Sequence, residues 1–307
     1  MNKKYLFPYI LTFLMVLAMV SCAQLMNEPE IIFPEITALA IGAWLAPKQV
    51  WKTSSLKLVL LIMIYAILGV LMVRYFPVSL LIKVIVGFLL CHIGLIVSQT
   101  TFAPLISACI LPILMNTESW IYPLSATIMA IIIVIIQNQL QKHHLLHDYH
   151  YEKVTFDYHH EFILFFKRLI VIVGLGFAAI SMNLRLLIAP PLIVAFFELS
   201  GNHKKLRSQA PRLYPLTVFM AFVGAYARYF LTIQYHYPLW IVSALITLIL
   251  LFCIYHYEIY FPPVGAITIL PMIIAKEMLL IYPFLVAIGF ALLILFAFMI
   301  SYKKSSV

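Results

Sequence analysis

Apolar residues form long runs along almost the whole chain, and short polar connections separate one run from the next. A run of about 20 apolar residues, folded as a helix, crosses the roughly 30 Å hydrocarbon core of a bilayer. Lipid offers the backbone no hydrogen bonds, so such runs are expected to be helical. The pattern predicts an all-α polytopic membrane protein with twelve membrane segments: 5–23, 31–46, 58–73, 78–97, 102–115, 120–136, 162–182, 186–199, 213–233, 238–255, 261–275 and 278–300.

Four of these segments are short and open on proline: 31–46, 102–115, 186–199 and 261–275. At about 1.5 Å per residue, each reaches only about 24 Å, so it either lies tilted or begins inside the protein. Proline suits a helix start, because the first turn leaves N–H groups unpaired in any case. A buried start offers positive partial charge to a solute. The alternative interpretation is that these prolines only kink and pack ordinary membrane helices.

Composition and charge support the membrane prediction. Of the 307 residues, 64% are hydrophobic and 10% are charged, against about a quarter charged in soluble domains. With the N-terminus inside and a crossing at every segment, fifteen Lys and Arg residues fall on the cytoplasmic side and four on the outer side. This bias predicts a multi-pass protein of the cell membrane with both termini in the cytoplasm. It also explains the net charge of +9, so no nucleic-acid partner is predicted.

The cysteines give no sign of a metal or disulfide site. They show no CxxC spacing, and three of the four lie inside apolar segments, where they are expected to be small buried residues. The first apolar run ends in "MVSC" at Cys22, which imitates a cleaved lipoprotein signal. We interpret this run as a retained first helix, with processing at Cys22 as the alternative.

The two halves of the chain resemble each other. "TFAPLISACILPILMNTESWIYP" at 101–123 matches "YFPPVGAITILPMIIAKEMLLIYP" at 260–283, and Pro34 pairs with Pro190. Each half holds six segments, so the halves are predicted to be parallel repeats. Similar openings of the short segments predict a further division of each half into two inverted three-segment copies. The predicted divisions are a first membrane repeat at 1–140, a His-rich cytoplasmic linker at 141–161 and a second membrane repeat at 162–307.

The linker is rich in histidine, with His143, His144, His147, His150, His159 and His160. The spacing of His143 and His147 would place two imidazoles on one helix face, as a transition metal requires. No cysteine accompanies them, and an aromatic linker of mixed charge needs no metal. We predict no metal site, and metal or pH sensing is the alternative.

Candidate solute-binding residues lie at the four proline-led starts: Pro34, Glu35, Pro104, Ser107, Pro190, Pro191, Pro262, Pro263, Gly265 and Ala266. The last four are expected to present backbone N–H groups to a small anion. Glu35 has three interpretations: a cap of its own helix, a proton or cation site at membrane depth, or a hydrated group at the outer interface. Arg74 and Arg228 are expected at the outer ends of their helices, where they attract anions or contact lipid phosphates.

The strings "APPLIVAF", "HKKLRSQAPRLYPLTVFMAFVGAY" and "FPPVGAITILP" resemble the HPP family of integral membrane proteins, and the resemblance covers most of the second half. The family is similar in its proline-led short segment, its basic loop, and its His-Pro-Pro signature leading into a Gly-Ala-Thr-like string. Phe261 stands where the signature has histidine, and the first half is a more divergent copy. The resemblance implies nitrite transport, which is the activity of some members.

No enzyme motif stands out, because the chain has neither a Gly-rich phosphate loop nor an H-E-x-x-H pair. We therefore predict no catalytic residue and no cofactor. The expected function is a permease or secondary transporter for a small solute, most directly a monovalent anion such as nitrite. The alternatives are a non-transporting scaffold or sensor that uses the His-rich linker, and a membrane-embedded hydrolase. Fusion of two repeats is compatible with a monomer and leaves the oligomeric state open.

Overall fold

The computed structural model describes residues 3–146, 153–201 and 204–301, and no β-strand occurs among them. The all-α prediction is confirmed. In chain order the α-helices of these residues are α1 (Lys3–Met26), α2 (Glu35–Ala40), α3 (Ser55–Tyr75), α4 (Leu80–Ser98), α5 (Pro104–Met115), α6 (Ile121–Lys142), α7 (Tyr158–Ser181), α8 (Pro190–Ser200), α9 (Lys204–Ser208), α10 (Ala210–Ala227), α11 (Leu239–Tyr257), α12 (Pro262–Ile269) and α13 (Tyr282–Ser301).

Eight helices of the described chain are long and apolar enough to cross a membrane: α1, α3, α4, α6, α7, α10, α11 and α13. Between 33% and 50% of each span is buried inside the protein. The remaining faces carry large apolar side chains outward, such as Ile170, Phe177 and Leu248. Water would penalise so much exposed apolar surface, whereas lipid does not. These helices indicate a membrane protein.

Four short helices, α2, α5, α8 and α12, form the centre of the bundle. Every residue of α2 and α12 is buried, and so are all but one residue of α5 and of α8. Such helices are apolar on all sides because protein surrounds them completely. Two of them continue in tighter or wider turns: a π-helical stretch at Ile41–Leu45 follows α2, and a 3₁₀ turn at Leu270–Met272 follows α12. The expectation that the proline-led segments are too short to span is therefore confirmed for these helices.

Two glycines allow long helices to pack directly against the backbone of short ones. A Cβ on Gly69 of α3 would collide with the carbonyl oxygen of Cys109 in α5, and a Cβ on Gly224 of α10 would collide with that of Thr268 in α12. Without a strong hydrophobic driving force in lipid, close backbone approach of this kind is a main source of helix association. The long helices α3 and α10 thus pack directly on the backbones of α5 and α12.

Corresponding contacts recur in the two halves. The Tyr122 hydroxyl donates to the Ala108 carbonyl at 3.0 Å, and the Tyr282 hydroxyl donates to the Ile267 carbonyl at 2.8 Å. The halves are also interlocked, since α2 packs against α12, α5 against α8, α1 against α11, and α4 against α7. The twelve-segment, two-repeat organisation stays a prediction, and these recurring contacts favour it.

Candidate functional site

The first turns of all four short helices meet around one small cavity. Its volume is about 10 Å³, counted as space for the centres of water molecules, which is roughly room for a single water. Ten residues line it: Glu35, Ala38, Trp51, Pro104, Ser107, Pro191, Val194, Pro262, Pro263 and Ala266. Nine of them belong to the first five positions of α2, α5, α8 and α12.

The same spacing recurs on each of the four helices. Two lining residues three positions apart lie on α2 (Glu35 and Ala38), and a further such pair lies on α5 (Pro104 and Ser107). The third pair is Pro191 and Val194 on α8, and the fourth is Pro263 and Ala266 on α12. Residues three apart share one helix face, so each helix turns the same face of its first turn to the cavity.

Glu35 is the charged side chain of this lining. It is 2% exposed, so the prediction that it sits hydrated at an interface is wrong. Its Oε1 accepts a hydrogen bond from the Ser107 hydroxyl of α5, while Oε2 has no hydrogen-bond partner among the described residues. A buried oxygen without a partner is rare and costs free energy, commonly about 1–3 kcal/mol. Such a group in a cavity is a candidate for binding something there.

Two of the four predicted N–H donors, Pro262 and Pro263, have no N–H because they are prolines, and this part of the sequence interpretation is wrong. The next N–H, that of Val264, donates to the Phe261 carbonyl at 3.1 Å. The start of α8 is built in the same way: it opens on Pro190 and Pro191, and the N–H groups of the two following residues both bond to the Ala189 carbonyl. The proline pairs therefore leave the starts of α8 and α12 with few hydrogen-bond donors, although the positive ends of their helix dipoles remain.

Three predicted site residues, Pro34, Pro190 and Gly265, are adjacent in sequence to residues that line the cavity. A Cβ on Gly265 would lie 2.6 Å from Cδ1 of Ile41, so this glycine lets α12 pack closely against α2 and its π-helical continuation. Pro34 is the N-cap of α2, and Pro190 is the first residue of α8. None of these three residues is among the ten that line the cavity.

Arginines occupy the C-terminal ends of three of the four short helices, α5, α8 and α12. Arg185 donates to the Leu114 carbonyl at the end of α5 at 3.1 Å. At the end of α8, Arg168 donates to the Phe197 carbonyl at 2.9 Å. Arg228 donates to the Ile274 carbonyl at 2.7 Å, and also to that of Pro271, just beyond α12. Cations at helix C-termini offset the negative end of the dipole and satisfy its carbonyls.

The predicted role of Arg74 and Arg228 at the outer approach stays a prediction, and the structure shows what each guanidinium contacts. The guanidinium of Arg228 is engaged by carbonyls at the C-terminal end of the α12 segment, and neither Arg228 nor Arg74 lines the cavity. Arg74 is exposed, and its guanidinium lies 5.5 Å from the ring centre of Trp120. The two residues, equivalent in sequence, therefore have different surroundings. Neither touches the predicted solute site.

Trp51 closes one side of the cavity, and the sequence analysis missed it. It lies in the connection between the π-helical end of α2 and α3, where its neighbours Lys48 and Lys52 are exposed, yet it is itself 3% exposed. Its Nε1 donates to Oε1 of Glu198 on α8 at 2.8 Å, and its ring stands edge-on to Phe102 at 5.4 Å. Trp51 thus belongs both to the cavity lining and to a connection whose lysines are exposed.

None of the described residues of the histidine linker is among those that line the cavity. His147 and His150 lie outside the described residues, while His143, His144 and His159 are exposed. Asp157 caps α7 by accepting hydrogen bonds from the N–H groups of His159 and His160. Within the described ranges no group of three or more His, Cys, Asp or Glu side chains is arranged to hold a metal ion.

Comparison with known proteins gives no match: no family model, curated protein or solved structure is similar to this chain at a significant level. The resemblance to the HPP family therefore stays a prediction.

Proposed function

We propose that this chain is a permease for a small solute, with a monovalent anion such as nitrite as the favoured substrate. The observation that carries the proposal is the meeting of four proline-led helix starts around one buried cavity that holds an unpaired carboxylate oxygen. Broken helices whose starts meet at membrane depth are the usual way in which secondary transporters build a substrate site.

Helix dipoles support an anionic substrate. The starts of α5, α8 and α12, which have at least eight residues each, all point at the cavity. A helix start stabilises an anion by up to about 2 kcal/mol in a partly buried site. Three together contribute at most about 6 kcal/mol, which is more than the binding free energy of about 4 kcal/mol that gives a millimolar affinity. The arginines on the far ends favour this polarity, because they compensate the negative ends and leave the positive ends free.

The scarcity of hydrogen-bond donors at the starts of α8 and α12 and the small volume of the cavity favour a monovalent anion over sulfate or phosphate. Divalent oxyanions lose strong hydration and need many charge-assisted hydrogen bonds in return. The double prolines at α8 and α12 remove donors of that kind, and the cavity volume is that of about one water molecule. A triatomic anion enters only if the helix starts separate slightly, and a sugar or amino acid would need a far larger change.

The charge distribution supports a topology for this site. With both termini in the cytoplasm of a cell-membrane protein, α5 and α12 start from the inner side, while α2 and α8 start from the outer side. The cavity then lies between two pairs of oppositely directed half-helices. The Trp51 connection, with exposed Lys48 and Lys52, falls on the cytoplasmic side and forms the inner closure.

The predicted repeats give this arrangement a simple origin. In the sequence match of the halves, Glu35 and Ala38 correspond to Pro191 and Val194, and the α5 pair corresponds to the α12 pair. Equivalent positions of each repeat thus face one shared cavity. Nitrite follows from the HPP resemblance and is the first anion to test.

The test is solute uptake by purified full-length protein in liposomes. We expect saturable uptake of nitrite, nitrate, chloride or formate above protein-free liposomes, and little uptake of sulfate or phosphate. Ala38→Met, which fills the cavity, should reduce uptake at least tenfold. Ala178→Met is the matched control, because Ala178 is exposed on α7. Absence of uptake for every anion of the panel, or full uptake by Ala38→Met, would contradict the proposal.

A further inference from the structure

We infer that Glu35 binds a proton and couples its movement to the anion, so that the protein works as a proton–anion symporter. This inference rests on the proposed function and adds the coupling ion and the residue that carries it. The observation behind it is the free oxygen of a buried carboxyl group that faces the cavity.

The geometry divides the two carboxyl oxygens between two tasks. Oε1 is held by the Ser107 hydroxyl, which fixes the side chain against α5. Oε2 has no partner among the described residues, and Glu35 lines the cavity. Added to Oε2, a proton becomes an O–H donor directed at the solute. This supplies the hydrogen bond that the proline-led helix starts do not offer.

Among the described residues, the titratable groups that face Glu35 include no Lys or Arg that could neutralise its carboxylate, so we infer that a proton neutralises it. Tyr122 on α6 and Tyr282 on α13 interact electrostatically with Glu35, and both hydroxyls already donate to backbone carbonyls. On α5, Cys109 is buried beside Tyr122. On α8, Glu198 accepts from Trp51. α12 carries no titratable residue, and on α1 Met19 packs against the segment before α2, while Cys22 is exposed.

Charge then links the two bound species. The ionised carboxylate itself occupies the positive field of the helix starts, and it repels a second anion. Protonation removes that charge and leaves the field to the substrate. Proton and anion therefore favour each other's binding, and the effect is reciprocal by linkage. One proton moves with one anion, so the transport cycle is electroneutral. A hydronium ion on one side protonates Oε2 and leaves water, and water on the other side accepts the proton and becomes hydronium.

A cation such as Na⁺ is the competing occupant, and the chemistry of the lining disfavours it. Alkali and alkaline-earth ions need several oxygen ligands around them. The lining side chains offer oxygens from Glu35 and Ser107, and the rest are apolar or aromatic. A sodium gradient is therefore included in the test as the opposite outcome.

The experiment measures chloride and nitrite accumulation by full-length protein in liposomes clamped at zero membrane potential, with an acidic exterior. Chloride is the main probe, because it is not protonated at such pH and so cannot cross the bilayer as a neutral acid. Nitrite can cross as nitrous acid, and protein-free liposomes measure this passive permeation. We expect the pH gradient to drive accumulation at least tenfold above a symmetric buffer. A pH dye inside the liposomes should report proton entry on addition of the anion outside.

Glu35→Gln should lose gradient-driven accumulation, and any anion exchange that remains should not depend on pH. Glu277→Gln is the matched control, an exposed acid far from the cavity lining, and it should behave as wild type. If Glu35→Gln does not assemble, Ser107→Ala serves instead, and it should shift the pH of half-maximal uptake without abolishing coupling.

Uptake by wild type that follows a sodium gradient, or that ignores the pH gradient, would overturn the inference while leaving the permease intact. Accumulation by Glu35→Gln at the wild-type level would do the same. Absence of any anion exchange in wild type would instead overturn the permease itself, so the two failures are distinguishable.

Discussion

Trp51→Phe should open the cavity to the side on which Lys48 and Lys52 are exposed. The substitution keeps an aromatic ring against Phe102 but removes the Nε1–H that donates to Glu198 at 2.8 Å. Glu198 is only 8% exposed, so the lost hydrogen bond is one to a buried carboxyl group. Hydrogen bonds to charged groups contribute about 1.5–3 kcal/mol. If that free energy stabilises the closed state, the open population rises about 10–150-fold, since about 1.4 kcal/mol corresponds to a factor of ten.

The assay is the labelling rate of a cysteine placed in the cavity lining. Ala38→Cys is introduced after Cys22, Cys91, Cys109 and Cys253 have been replaced, and a charged thiol reagent is applied. The Trp51→Phe variant should label about 10–150-fold faster than its parent. Trp240→Phe is the control, because the Trp240 side chain is exposed, and it should label at the parental rate. Equal rates for Trp51→Phe and its parent would show that this hydrogen bond does not hold the cavity closed.

Three further predictions concern packing, helix ends and the linker. Gly265→Val should destabilise the protein by about 1–3 kcal/mol, because the added side chain overpacks against Ile41. The measurement is thermal unfolding in detergent, and Gly174→Ala is the control, because a Cβ on Gly174 has no neighbour within 4 Å and should change stability little. Arg228→Gln should lower anion uptake and thermal stability more than Arg74→Gln, because only Arg228 donates to carbonyls beyond α12; equal effects would refute its role as a helix-end cation. Deletion of residues 143–160 should leave most of the uptake intact, and loss of all uptake would favour a linker that senses or recruits a partner.

The short central helices could be predicted from the sequence because their evidence is local. A segment too short to span, with proline in its first turn, has few options, and each of the four strings "FPEI", "FAPL", "APPL" and "FPPV" repeats that combination. The structure agrees: α2 follows Pro34, while α5, α8 and α12 each begin at a proline. Seven of the ten lining residues were also candidates from sequence, because they occupy those same first turns.

Partners across the bundle could not be predicted, because they depend on tertiary packing. Trp51 lies in a polar connection between Lys48 and Lys52, and nothing in that stretch indicates that its ring turns inward to Glu198. Arg228 was placed correctly on its helix, but its carbonyl partners come from a segment more than 40 residues later. Ser107 and Ala266 were candidates from sequence, and Ala38 and Val194 occupy the corresponding positions of α2 and α8, three residues after Glu35 and Pro191. A comparison of the four helix starts by position would therefore have identified Ala38 and Val194 as well.

The central claim is that the four helix starts surround a site for a small anion, and bromide offers the most direct test. Bromide is a monovalent anion with a strong anomalous X-ray signal, so crystals of the full-length protein soaked in bromide at acidic pH report its position. The account predicts an anomalous peak bounded by Glu35, Ser107, Pro191 and Pro263. A well-ordered cavity without bromide, with peaks confined to the protein surface, would contradict it.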